Sequence, residues 1–62
     1  MIRKDYLLAS LKLITEASQK LNEANNIMID NNEGIISDAI ISISAETIIL
    51  LGKLEIIINY EN

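Results

Sequence analysis

AIISISAETIILLGKLEIIINY, residues 39–60, decides the fold of this chain. Branched hydrocarbon fills it, yet Glu46, Lys53 and Glu55 interrupt the run. Isoleucine favours strands, and the stretch can be drawn as a β-hairpin turning at Gly52 and Lys53. The polar residues argue otherwise. Asp38, Ser42, Glu46 and Lys53 recur at steps of four, four and seven, which is a helical stripe and not an alternation of period two. The run TIILL has no alternation at all. The spacing predicts a helix over 35–60, with one variant left open: Ser44 of SAET could act as an N-cap and divide the segment in two.

Working back from this segment, residues 31–34 read as a bend. Asp30, Asn31, Asn32 and Gly34 are residue types that tolerate left-handed backbone or cap helix starts. A calcium loop does not fit, because Gly34 sits where the third oxygen ligand belongs and Ile41 where the closing glutamate would stand. Glu33 and Asp38 are placed to complement the positive start of the second helix.

Before the bend, residues 2–30 form an amphipathic helical pattern. Tyr6, Leu7, Leu11, Leu13, Ile14, Ala17, Leu21, Ala24 and Met28 share one side, and Asp5, Lys12, Glu16, Gln19, Lys20, Glu23 and Asn26 the other. Glu16 with Lys20 and Lys12 with Glu16 have the spacing of surface ion pairs, each contributing about 0.2–0.5 kcal/mol. Within the apolar side Leu7, Ile14, Leu21 and Met28 recur every seven residues, with Ser10, Ala17 and Ala24 three further along. Large and small residues thus alternate along a coiled-coil seam. The two helices would be about 43 and 39 Å long at 1.5 Å per residue, so they match as an antiparallel hairpin. The expectation is a single all-α domain over residues 1–62.

The second helix has more apolar surface than one neighbour can cover. Ile36, Ile40, Ile43, Thr47, Leu50, Leu54 and Ile57 form a stripe suited to pack on the first helix. Ile41, Ala45, Ile48, Gly52 and Ile56 form a second stripe, in which Ala45 and Gly52 would admit a close neighbour. A chain of 62 residues with no Cys and no His cannot supplement a small core with disulfides or with the usual soft-ligand metal sites. Association remains, and two hairpins joining through their second helices would give a four-helix bundle of C2 symmetry. In this plan, and in the Leu7, Ala17, Leu21, Ala24 style of packing, the chain resembles the Rop family of plasmid copy-number regulators. That resemblance implies a helical-hairpin dimer with alternating small and large core layers. The family binds paired RNA hairpins through basic residues and an aromatic on one exposed face; here Lys12 and Lys20 stand beside Glu16 and Glu23.

Charge narrows the function further. Residues 1–20 carry four basic and two acidic groups and residues 21–62 one basic and seven acidic, +2 against −6, which sums to the net −4. An acidic chain is a poor general binder of nucleic-acid phosphate. It suits a basic protein surface better, with Glu23, Asp30, Glu33 and Asp38 as a contact cluster near the bend. No nucleophile is paired with a base, no Gly-rich phosphate loop is present, and no cofactor or metal is implied. Asp38, Glu46, Lys53 and Glu55 leave no uncharged run longer than seven residues in this segment, against about 20 for a membrane span. MIRKDYLL lacks the continuous apolar core of a signal peptide. The expected protein is a cytoplasmic, non-catalytic regulator or inhibitor, of the kind carried by phages and mobile elements, that binds itself and another protein with a basic or apolar surface. An RNA-binding hairpin dimer and a scaffold subunit are the alternatives.

Overall fold

The computed structural model describes residues 3–60; the expected start of the first helix at residue 2 lies outside them. It is a hairpin of two helices, α1 (Arg3–Asp30) and α2 (Gly34–Tyr60), in a body of 45 × 16 × 11 Å. Among the described residues there is no strand, which settles the second segment as helix. α2 is continuous through Ser44, so the division at SAET does not occur. α1 is built from strong helix formers, Leu, Ala, Lys and Glu, with Asp5 in its first turn against the positive end of the dipole. α2 is richer in isoleucine, whose branched side chain loses rotamer freedom in a helix, so packing has to hold it.

The turn between them is built from backbone hydrogen bonds. The Glu33 N–H donates to the Met28 carbonyl at 2.8 Å and the Asn32 N–H to the Ile29 carbonyl at 3.1 Å. This is the Schellman pair, which satisfies the last carbonyls of a helix and requires left-handed backbone at the residue between. Asn32 takes that conformation, with φ 59°. Gly34 does not; it opens α2. The bend is therefore one residue shorter than the expected 31–34. The Asn31 amide also donates to the Ile27 carbonyl at 2.8 Å, and the Ser37 N–H to the Glu33 carbonyl at 2.9 Å. No acidic residue falls in the first turn of α2, so Asp38 is too far along for the dipole role expected of it.

Shielded residues trace one seam. On α1 they are Lys4, Leu7, Leu11, Ile14, Ser18, Leu21, Asn25 and Met28, at alternating steps of three and four, with Ala24 beside them. On α2 they are Ser37, Ile40, Ser44, Thr47, Leu51, Leu54 and Ile58 at the same alternation. Both helices thus follow a heptad repeat. The seven-residue beat of Leu7, Ile14, Leu21 and Met28 is in the seam as expected. Its companions are Leu11, Ser18 and Asn25, while Ser10 and Ala17 are exposed. Leu13 and Tyr6, expected on the packed side, are exposed as well.

The expected packing stripe of α2 is half right. Ile40, Thr47 and Leu54 face α1, but Ile36, Ile43, Leu50 and Ile57 are exposed, and their places are taken by Ser37, Ser44, Leu51 and Ile58. The physical reason lies in a polar contact. The Ser37 hydroxyl donates to the Asn25 side-chain carbonyl at 2.6 Å across the seam, and Ser37 is 5% exposed. Rotating α2 to bury Ile36 would leave Asn25 without that partner inside the interface, a cost of about 1–3 kcal/mol. Small Ser18 and Ser44 also let the helices approach closely. Thr47 fits the seam because its hydroxyl donates to the Ile43 carbonyl at 2.9 Å; Thr15 does likewise to Leu11 at 2.8 Å.

Surface ion pairing also differs. Lys20 bonds Glu23 at 3.4 Å, three residues on, and not Glu16. Both partners are highly exposed, so the pair contributes little.

Candidate interaction surface

The seam buries little. Ile58, 6% exposed, is the sole hydrophobic residue in the buried class among the described residues, and no side chain is fully enclosed. A globular chain of 6.9 kDa exposes about 4,000 Å². This one exposes 4775 Å². The exposed large side chains are concentrated on α2, where isoleucines stand in water on both flanks of the seam and along the line opposite it, with Asp38, Glu46 and Lys53 between them. A helix apolar around most of its circumference belongs in an interior, not on a surface.

Ile41, Ala45, Ile48, Gly52 and Ile56, expected to form the second stripe, are all exposed. They run obliquely: Ile41 and Ile48 directly follow the seam residues Ile40 and Thr47, Ala45 and Gly52 lie one step further round, and Ile56 lies opposite the seam. A Cβ at Gly52 would meet nothing within 4 Å, so nothing within the hairpin requires glycine there. Sequence reasoning missed the exposure of Ile36, Ile43, Leu50 and Ile57. The signal was available: Asn25 falls on the heptad line of α1, and a buried amide of that kind calls for a polar neighbour such as Ser37.

The acidic residues gather near the bend and are exposed: Glu23 beside Lys20, Asp30 closing α1, Glu33 in the turn and Asp38 in the second turn of α2. Among the described residues no three carboxylates converge as a metal-binding group, and no pocket is formed. The chemistry on offer is contact: hydrocarbon on α2 and negative charge at one end. By length and composition alone α2 would also be apolar enough to cross a membrane. Comparison with known proteins gives no match to a family model, to a curated protein or to a solved structure.

Proposed function

We propose that this hairpin is a non-catalytic regulator or inhibitor that acts by binding protein: a second copy of itself, forming a four-helix bundle, and a target with a basic or apolar surface. The observation that carries the reading is the large apolar side chains left exposed on α2, among them Ile36, Ile41, Ile43, Ile48, Ile49 and Ile56. Exposed apolar side chains grouped this densely mark an interface. Each isoleucine withdrawn from water contributes about 1.5–3 kcal/mol, more than the highly exposed Lys20–Glu23 pair can. The exposed carboxylates at the bend supply the electrostatic side of target recognition, steering encounter with a basic surface. Sedimentation equilibrium of the purified chain tests the first half: a discrete species of twice the chain mass is expected. Capture from a lysate, with and without charge reversal at Asp30, Glu33 and Asp38, tests the second, and unchanged capture would remove the bend as the contact.

The length and hydropathy of α2 favour one other reading, a membrane helix. Asp38, Glu46, Lys53 and Glu55 weigh against it, since Glu46 would sit near the bilayer centre, where an acidic side chain costs about 2.5–3.5 kcal/mol on insertion scales. The proposed location is accordingly the cytoplasm. Alkaline extraction of expressing cells separates the two, because a spanning helix stays with the lipid pellet.

A further inference from the structure

The large residues at the centre of the seam have two sets of neighbours, and the hairpin uses one of them. Leu7, Ile14, Leu21 and Met28 on α1 and Ile40, Thr47 and Leu54 on α2 share one heptad position, and on one edge they adjoin the lines of Asn25 and Ser37. On their other edge lie Ser10, Ala17 and Ala24 of α1 and Ile36, Ile43, Leu50 and Ile57 of α2. In an antiparallel pair these two outer lines fall on the same side, so small residues of α1 stand next to large ones of α2. Rolling each helix by one heptad position, about 51°, would bring them together as a second seam. The roll is geared. The same rotation about each chain direction is a counter-rotation in space, so the facing surfaces of antiparallel helices move together.

One direction of roll is favoured. Towards the outer lines, Ser18, Asn25, Ser37 and Ser44 pass into water, and the new seam is apolar apart from Ser10, Thr47 and, at the open end, Arg3. In the other direction Asn25, Ser37 and Ser44 would stay between the helices, and Thr15, Asn22 and Glu55 would join them. Burying a carboxylate and an amide in this way is costly. In hydrocarbon the favoured roll is nearly balanced: Leu11, Leu51 and Ile58 leave the seam, and Ile36, Ile43, Leu50 and Ile57 enter it. The loss is the 2.6 Å bond from the Ser37 hydroxyl to the Asn25 side-chain carbonyl. Rotating α2 alone strands Asn25 inside the seam, whereas rolling both helices releases Asn25 and Ser37 together into water.

We infer that α1 and α2 roll between two seams, with the Asn25–Ser37 bond as the catch that holds the observed one. Two packings of one sequence, close in energy and discrete, form a two-state element. The roll exchanges the surface on offer. Ile36, Ile43 and Leu50 are presented in one state and Leu11, Leu51 and Ile58 in the other, so a partner that takes either line holds the corresponding state. The inference concerns the hairpin itself and does not rest on the dimer.

Leu50 and Leu51 are sequence neighbours that the roll exchanges: Leu50 is 45% exposed and Leu51 is shielded. The sequence has no cysteine, so Leu50→Cys and Leu51→Cys can each be labelled with a maleimide in the native protein. Removing the catch with Asn25→Ala and Ser37→Ala turns a state populated at about 0.1–10% into the major one. The ratio of labelling rates, position 51 over position 50, is therefore expected to rise by about tenfold or more, with helical circular dichroism retained. An unchanged ratio in a folded chain would overturn the inference. Should the catch-free chain lose its helices, a second variant reads the roll with the catch intact. Ala17 is exposed in the observed seam and enters the other, so Ala17→Glu is expected to slow labelling at position 51 by about threefold or more. Labelling as fast as before, or faster, would mean that position 51 opens by unfolding and would overturn the inference.

Discussion

At the level of single residues, Asn32 and Ser37 set the geometry of the hairpin by different means. Asn32 holds φ 59°, the left-handed region that costs most L-residues about 1–2 kcal/mol and that Asn and Gly visit with least strain. Asn32→Ala should therefore lower stability by about 1 kcal/mol, and Asn32→Gly should be neutral or slightly stabilising. Urea unfolding followed by circular dichroism checks both, and equal losses for the two variants would mean that backbone conformation is not what selects asparagine. Ser37 instead fixes rotation, through its bond to Asn25. Ser37→Ala deletes one neutral hydrogen bond and should cost about 1 kcal/mol. The pair Asn25→Leu with Ser37→Ala should recover that loss, since removing both polar partners spares the desolvation cost. It should also broaden the distribution of oligomers in sedimentation velocity, because the polar contact that specifies register is gone.

At the level of the helix, Gly52 separates two possible partner faces. In the hairpin alone a methyl group there meets nothing within 4 Å, and alanine is better than glycine in a helix interior by about 0.8–1 kcal/mol. If the partner covers the Ile36, Ile43, Leu50, Ile57 side, Gly52 stays in water and Gly52→Ala should raise stability by nearly that amount. A loss of stability in urea titrations would place Gly52 against a neighbour, and with it the oblique line through Ile41, Ala45, Ile48 and Ile56. The same residues show what could be read from sequence. Helix, turn and hairpin were legible because the polar positions Asp38, Ser42, Glu46 and Lys53 repeat with helical spacing and Asn32 marks the bend. The surplus of apolar surface on α2 was legible too. Its rotation about the Ile40, Thr47, Leu54 line was not: on hydrophobicity alone Ile36 outranks Ser37 at the seam. The choice is made by a hydrogen bond to a residue twelve positions away; hydrophobic periodicity within α2 does not contain it, and the one signal is Asn25 on the heptad line of α1. The acidic cluster was legible as charge, but nothing in its geometry selects a target.

For the whole molecule the decisive quantity is how folding depends on chain concentration. In the proposed dimer, a hairpin with so little enclosed hydrocarbon would draw its stability from the second copy, so unfolding and dissociation should be a single event. For such a dimer a tenfold dilution removes about 1.4 kcal/mol of apparent stability. With an unfolding entropy of about 2.1 cal/mol/K per residue, the thermal midpoint should fall by about 5 °C for each tenfold dilution. Thermal melts at three concentrations spanning two orders of magnitude decide the matter. A sharp wild-type transition with a midpoint independent of concentration would mean that the seam of α1 and α2 suffices by itself, and that the isoleucines of α2 are kept for some other partner.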